Sequence, residues 1–349
     1  LEYLRRGYFS HIQLYTYSCE DQKMLTKLNF EEDLLSKIEI IGPSKKARNT
    51  LDHLRHSLDY NKIRAALNNG AVISKTNQIN GCWTALIAKA FGCKMFLRCG
   101  YILSRRLFKN RSYLSGIIAS IIEVISFNIS DLTSVTTEDA RAYVSHYTLR
   151  GRKKIFVAPT YVNTEVFNAK ITQQCDTSDV IYVGRLEKQK NVLSLIKACK
   201  LAACRLTIVG KGSLQDEVFA LSESLGVQIK HFPSLQNEEI ANLFRKHKYF
   251  VLPSLHEGLP KVLIEAMAAE MICIGTPTSG ITDLIKAEET GFLAEGFNPE
   301  DIAEAILSAQ TDPMAGKYAQ NARQWVLDHH SISSYVENEY SKILALLSS

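Results

Sequence analysis

Two glutamates eight positions apart, Glu257 and Glu265, are the residues best placed in this 349-residue chain to do chemistry. They lie in FVLPSLHEGLPKVLIEAMAAE, residues 250–270. Phe250, Val251 and Leu252 read as a short buried strand ending at Pro253, and 254–258 as a loop. Leu259 and Pro260 then open a helix of good formers running through Ala269. Proline in a first helical turn loses no hydrogen bond, and Gly258 lets a ligand come close to the backbone. The free first-turn amides and the positive end of the helix dipole make a site for phosphate. Glu257 sits at its mouth, and Glu265 about one and a half turns inside the helix. Carboxylates beside a phosphate site suit a hydroxyl-rich ligand, because they accept hydrogen bonds from sugar hydroxyls. Taken alone, two glutamates at a helix start are more often solvated surface charge. The segment alone leaves both readings open.

The elements that must position these residues alternate between strand and helix throughout, the pattern of parallel α/β sheets. Strand-like runs cover 11–18, 38–42, 71–76, 94–99, 132–137 and 155–159, then 180–185, 205–210, 227–232, 249–253 and 271–275. Helical patterns fill most intervals, for instance 191–200 and 239–246. Residues 159–168 have no clear periodicity and are the expected linker. The length suits two domains rather than one core. Two doubly wound domains facing each other would place a ligand cleft at the strand C-termini.

Composition is that of a globular protein, 46% hydrophobic and 22% charged. No uninterrupted apolar run reaches the roughly 20 residues needed to span a bilayer, and no signal peptide opens the sequence. Eight scattered cysteines, without CxxC pairs or zinc spacing, read as reduced buried thiols of a cytosolic protein without structural metal. Charge is unevenly spread. Residues 1–160 carry 24 Lys/Arg against 13 Asp/Glu, whereas 161–349 carry 17 against 23. The basic half lacks a base-reading motif, so nucleic acid is not an expected partner. Arg105, Arg106, Lys109 and Arg111 precede an apolar helix over 114–127, a combination that suits an anionic membrane face. The alternative is plain core packing of Ile117, Ile118, Ile121, Ile122 and Ile125.

EGLPKVLIE, with PSLHEGLP before it and EAMAAE after it, resembles the paired-glutamate signature of retaining glycosyltransferases, and family 4 most of all. VGRLEKQKN (183–191) is similar to that family's strand-to-helix turn, and GKG (210–212), TPTSGI (276–281), TGFL (290–293) and YVNT (161–164) to further family segments. The resemblance covers most of residues 130–295. It implies the GT-B fold, two Rossmann-like domains, here expected as 1–160 with 331–349 for the acceptor and 161–330 for the donor. It implies a hexosyltransferase that uses a nucleotide-diphosphate sugar and a glycan or lipid-linked acceptor in bacterial surface polysaccharide assembly. No cofactor or metal is expected, and the location implied is cytoplasmic, peripheral at the inner membrane face.

By the same resemblance Arg185 and Lys190 hold the diphosphate, with Gly258 and Leu259 amides assisting. Glu265 takes the ribose hydroxyls and Glu257 the transferred sugar. Gly210 belongs to a glycine turn, and Phe232 ends the strand whose loop meets the nucleobase. Many relatives have a histidine after the fourth strand of the first domain; this chain offers Arg98, with Asn77 as a further candidate there. An earlier strand and glycine-rich loop are also missing from the start, so a non-catalytic sugar-nucleotide binder or an inactive fragment is the alternative.

Overall fold

The computed structural model describes residues 1–16, 32–41, 58–68, 70–76, 82–109, 111–149, 154–168 and 176–348. The chain forms two compact units, Leu1–Pro159 with Val336–Ser349, and Thr160–Tyr335.

In the first unit β1 (Ile12–Tyr15) and β2 (Ile38–Ile41) pair in parallel. β3 (Ile73–Lys75), β4 (Lys94–Cys99), β5 (Leu132–Val135) and β6 (Ile155–Val157) form a second parallel sheet in that order. Its helices are α1 (Glu2–Arg5), α2 (Glu32–Ser36), α3 (Tyr60–Asn68), α4 (Cys82–Ala90), α5 (Leu103–Lys109), α6 (Tyr113–Ile129) and α7 (Glu138–His146). Met95, Leu97, Cys99, Phe127, Val135 and Val144 centre its core.

The α5–α6 hairpin is fastened by one buried carboxylate. Glu123 of α6 accepts from the amides of Leu103 (2.6 Å) and Ser104 (3.2 Å) and from the Ser104 hydroxyl (2.5 Å). It thereby caps the orphan first-turn donors of α5. A Cβ on Gly116 would lie 2.7 Å from the Phe108 ring, so the two helices meet closely there.

The second unit holds β7 (Asp176–Val183), β8 (Arg205–Val209), β9 (Ile229–Phe232), β10 (His247–Leu252), β11 (Ile272–Gly275) and β12 (Phe292–Leu293). Its helices are α8 (Val192–Leu201), α9 (Gln215–Leu225), α10 (Asn237–Phe244), α11 (Lys261–Ala268), α12 (Ser279–Thr282), α13 (Pro299–Thr311) and α14 (Ala315–His330). The strand order is β12-β11-β10-β7-β8-β9, all parallel. Helices on both faces of such a sheet bury its strands twice over, so the strands read as unbroken apolar runs. Tyr249, Phe250, Val251 and Leu252 of β10 are all buried, as are Val180, Ile181, Tyr182 and Val183 of β7.

The last helix, α15 (Ile332–Leu347), begins in the second unit and ends in the first. Glu339 on it is fully buried and accepts from the Lys75 ammonium and the Tyr3 hydroxyl. Tyr340 stacks on Tyr8 with ring centroids 3.8 Å apart.

Candidate functional site

β7 and β10 are neighbours, but the sheet grows from them in opposite directions. Their connections therefore part at the strand C-termini and leave a crevice between them, the switch point of a doubly wound sheet. Arg185 and Lys190 follow β7, and Glu257 and Glu265 follow β10. The topology alone brings these two segments to one end of the sheet.

After β7 the backbone is tightly specified. The Tyr182 hydroxyl donates to the Arg185 carbonyl (2.8 Å), and a Cβ on Gly184 would sit 2.6 Å from that hydroxyl. Burial pushes the Tyr182 phenol well above its ordinary range, so it stays a neutral prop. Arg185 is exposed. A short 3-10 turn over Lys188–Lys190 then carries Lys190 inward, and Asn191 takes a left-handed conformation (φ 54°) at the entry to α8.

The loops after β7 and β10 are tied together. The Leu255 amide donates to the Gln189 carbonyl (2.9 Å), and the Gln189 side chain donates to the His256 carbonyl (2.7 Å). Lys190 Nζ lies 2.5 Å from Glu257 Oε1, both side chains being mostly buried. Ser254 Oγ donates to that same oxygen (2.7 Å). Ser254 is fully buried, and its carbonyl accepts from Thr276 Oγ1 (2.6 Å). One carboxylate oxygen of Glu257 is thus held twice, and neither bond uses Oε2. A charge-assisted clamp of this kind fixes the carboxylate plane before any ligand arrives.

α11 starts at Lys261 rather than at the expected Leu259, with Pro260 as the N-cap residue in an extended conformation (ψ 105°). Leu259 and Pro260 therefore belong to the loop. Gly258 is exposed, and a Cβ there would meet nothing within 4 Å. Gly280 differs. A Cβ on it would lie 2.0 Å from the Gly258 carbonyl oxygen and 2.8 Å from that of Glu257. The start of α12 thus presses on the Glu257–Gly258 backbone.

Glu265 is buried in α11, with Lys261 Nζ 3.1 Å away. Burial pushes its carboxyl up, and Lys261 pulls it partly back. An acid whose folded pKa is raised gives its full stability below the unfolded pKa and loses it as pH rises through the folded value. Glu265→Gln removes that loss. The variant is expected to melt above wild type at pH 7, with the gap closing towards pH 4, by scanning fluorimetry. The same exchange takes away a charged acceptor and is expected to weaken nucleotide binding, measured by calorimetry.

Gly210 and Gly212 close the site from the β8 side. Gly210 has φ 140°, and its Cβ would fall 2.0 Å from the Gly184 carbonyl oxygen. The corresponding position on Gly212 is 2.2 Å from that of Leu186. Glu187 accepts from the Ser213 hydroxyl (2.9 Å) and amide (3.3 Å). Phe232 ends β9; its carbonyl accepts from the Gly210 amide (2.8 Å), and the His231 ring donates to the Gly210 carbonyl (2.7 Å).

Arg98 and Asn77 belong to the first unit. Arg98 lies near the C-terminal end of β4, where its amide donates to Thr76 Oγ1 (3.1 Å). Asn77 lies outside the described residues. Among the described residues no group of three or more His, Cys, Asp or Glu side chains could hold a metal. The six described cysteines are buried and free. Burial raises the Cys99 thiol to about 12.

Residues 163–325 match the family described as Glycosyl transferases group 1. That segment is a group 1 glycosyl transferase domain. The curated relatives agree with it. Over 311 residues the chain is 25% identical to a Campylobacter jejuni transferase, an alpha-1,4-N-acetyl-D-galactosaminyltransferase named for a diphospho-undecaprenol-linked acceptor, covering 85% of this chain and 84% of the relative. A UDP-Gal:alpha-D-GlcNAc-diphosphoundecaprenol alpha-1,3-galactosyltransferase of Escherichia coli is 27% identical over 44% of this chain and 42% of its own length. A glycosyltransferase of Rickettsia africae superposes with a TM-score of 0.75 at 18% identity, covering 99% of this chain and 92% of that one. HepE of Anabaena, solved with UDP, superposes at 0.72 and 16%, covering 95% and 92%. The fold is GT-B, and the chain is a glycosyltransferase.

In this glycosyl transferase domain, the residues singled out from sequence lie at or beyond the C-terminal ends of β7, β8, β9 and β10. Ser254 and Gln189 were not among them. Ser254 lies within the quoted stretch, three residues before Glu257, but its orientation follows from loop geometry that no spacing encodes.

Proposed function

We propose that this chain is a metal-independent, retaining transferase that moves a hexose from a nucleotide-diphosphate sugar to a lipid-linked glycan. The observation that carries the reading is the pairing of Lys190 with Glu257 at the switch point, with Ser254 on the same carboxylate oxygen. Lys190 and Arg185 hold the diphosphate and meet the negative charge that grows as it leaves. The amides of Gly258 and Leu259 add neutral donors at the start of α11. Oε2 of Glu257 accepts from a hydroxyl of the transferred sugar, and Glu265 from the ribose. The acceptor hydroxyl attacks the anomeric carbon from the face the leaving phosphate occupies. The C–O bond to phosphate breaks, the new glycosidic bond forms, and the phosphate oxygen takes the acceptor's proton.

The undecaprenol-linked acceptors named for the Campylobacter jejuni and Escherichia coli relatives support a polyprenyl diphosphate glycan as acceptor, in bacterial glycan assembly. The setting that follows is the cytoplasmic side of a membrane, with peripheral contact through the basic first unit. The test is transfer from a panel of nucleotide sugars to a diphosphate-linked polyprenyl glycan in the presence of EDTA, with the product anomer read by NMR. Retention of the donor configuration, unaffected by chelation, is expected. An inverted product, or loss with EDTA restored by Mg²⁺, overturns the mechanism.

A further inference from the structure

α6 presents two faces of very different character. Gly116, Ala119, Glu123, Ser126 and Phe127 face inward, locked by the Glu123 cap and the close approach to Phe108. The opposite face carries Tyr113, Leu114, Ile117, Ile118, Ile121 and Ile125, all exposed: Leu114 by 74%, Ile121 by 55% and Ile117 by 52%. Of the five isoleucines that core packing could have claimed, only Ile122 packs against the core cluster. The helix cannot roll to hide the others without uncapping α5. Four-residue steps from Tyr113 through Ile129 keep the apolar row on one line.

The charges at one end of this row have a single sign. Between residues 103 and 130 the acidic side chain is Glu123 alone, buried and committed to its cap, against Arg105, Arg106, Lys109 and Arg111. Arg105 is engaged by Asp139 at 2.5 Å. Arg106 and Arg111 are exposed beside the apolar row. A groove of about 250 Å³ between α4, α5 and α6, lined by Trp83, Leu103, Leu107, Ile118 and Ile122, adjoins the same face.

We propose that the outer face of α6, with Arg106 and Arg111 at its N-terminal end, is an in-plane docking surface for an anionic lipid bilayer. It deepens the membrane contact proposed above by naming the surface, and it is tested by binding alone, whatever the fate of sugar transfer. The helix lies on the membrane rather than crossing it. Its 17 residues reach about 25 Å, short of the ~30 Å hydrocarbon core. No described helix is long and apolar enough to cross. Aliphatic side chains on one face enter the acyl boundary while flanking arginines meet headgroup phosphates. A second copy fits less well, because this hairpin offers no exposed carboxylate to answer those arginines. The groove gives a lipid chain an apolar seat beside the helix.

The experiment is co-sedimentation of the full chain with phosphatidylglycerol–phosphatidylcholine vesicles, with pure phosphatidylcholine vesicles as reference. Binding to the anionic vesicles is expected to exceed binding to the neutral ones by about tenfold or more, and to fall in 0.5 M salt. Ile117→Glu with Ile121→Glu, and separately Arg106→Glu with Arg111→Glu, are each expected to lower partitioning about tenfold or more. Both pairs are exposed, so melting temperature and nucleotide binding should stay at wild-type values, which separates loss of docking from misfolding. Wild-type-like partitioning of the variants, or equal binding to neutral vesicles, overturns the proposal. A wild-type dimer in sedimentation velocity that the isoleucine pair dissolves, without vesicle binding, reassigns the face to a second copy.

Discussion

Lys190→Ala is expected to lower the rate of sugar transfer by about 100- to 1000-fold, the usual effect of deleting one preorganised donor to a developing negative charge. Its ammonium is held 2.5 Å from Glu257, so the deletion also strands a mostly buried carboxylate. Some loss of thermal stability accompanies the loss of rate, since removing one partner of a poorly solvated pair leaves the other uncompensated. Two further variants separate these effects. Lys190→Met with Glu257→Gln removes both charges and should recover most of the melting temperature while staying inactive. Ser254→Ala leaves both charges but frees the carboxylate, and should lower kcat by about tenfold with an intact fold. Near-normal turnover by Lys190→Ala, in a folded protein that binds donor, would remove Lys190 from the reaction.

Gly280→Ala is expected to have the second largest effect. Its Cβ would meet three backbone atoms of Glu257 and Gly258 at 2.0–2.8 Å, and none of them belongs to a flexible side chain that could swing away. Either α12 retreats or the loop that carries Glu257 moves, and a displacement near 1 Å at a reacting centre costs about 100-fold. The expected result is a protein that melts several degrees lower, transfers sugar about 100-fold more slowly and binds nucleotide sugar more weakly. Gly258→Ala offers the complementary measurement. Its Cβ meets nothing within 4 Å, so the unliganded fold should be untouched, and any loss of binding reports that a donor occupies that space. Equal melting and equal donor affinity for Gly280→Ala would show that α12 gives way without consequence for the loop.

How much of this was legible in the residues depends on the range of the interactions concerned. Each of the eleven expected strand runs has an observed strand within it or overlapping it, and the fully buried ones are written as unbroken apolar stretches such as YFVL at 249–252. Helix boundaries were less exact. Pro260 has a fixed φ, but its ψ was free to stay extended, and α11 begins one residue later. Ser254 and Gln189 escaped notice for a non-local reason. What they do depends on β7 and β10 lying side by side, which is set by the order of six strands and not by any window of sequence. The apolar stretch 114–127 posed the opposite problem. Its isoleucines fit a core equally well by composition, and only the Glu123 cap on α5 decides which of them face water.

The passage of α15 from one unit into the other sets an order on synthesis. A ribosome making this chain has already translated Tyr3 and Lys75 when it reaches Glu339, the acceptor they share. The first unit therefore cannot complete this buried contact until the C-terminal helix is made. Translation that stops short of Glu339 would leave the first unit without the buried carboxylate that Lys75 and Tyr3 share.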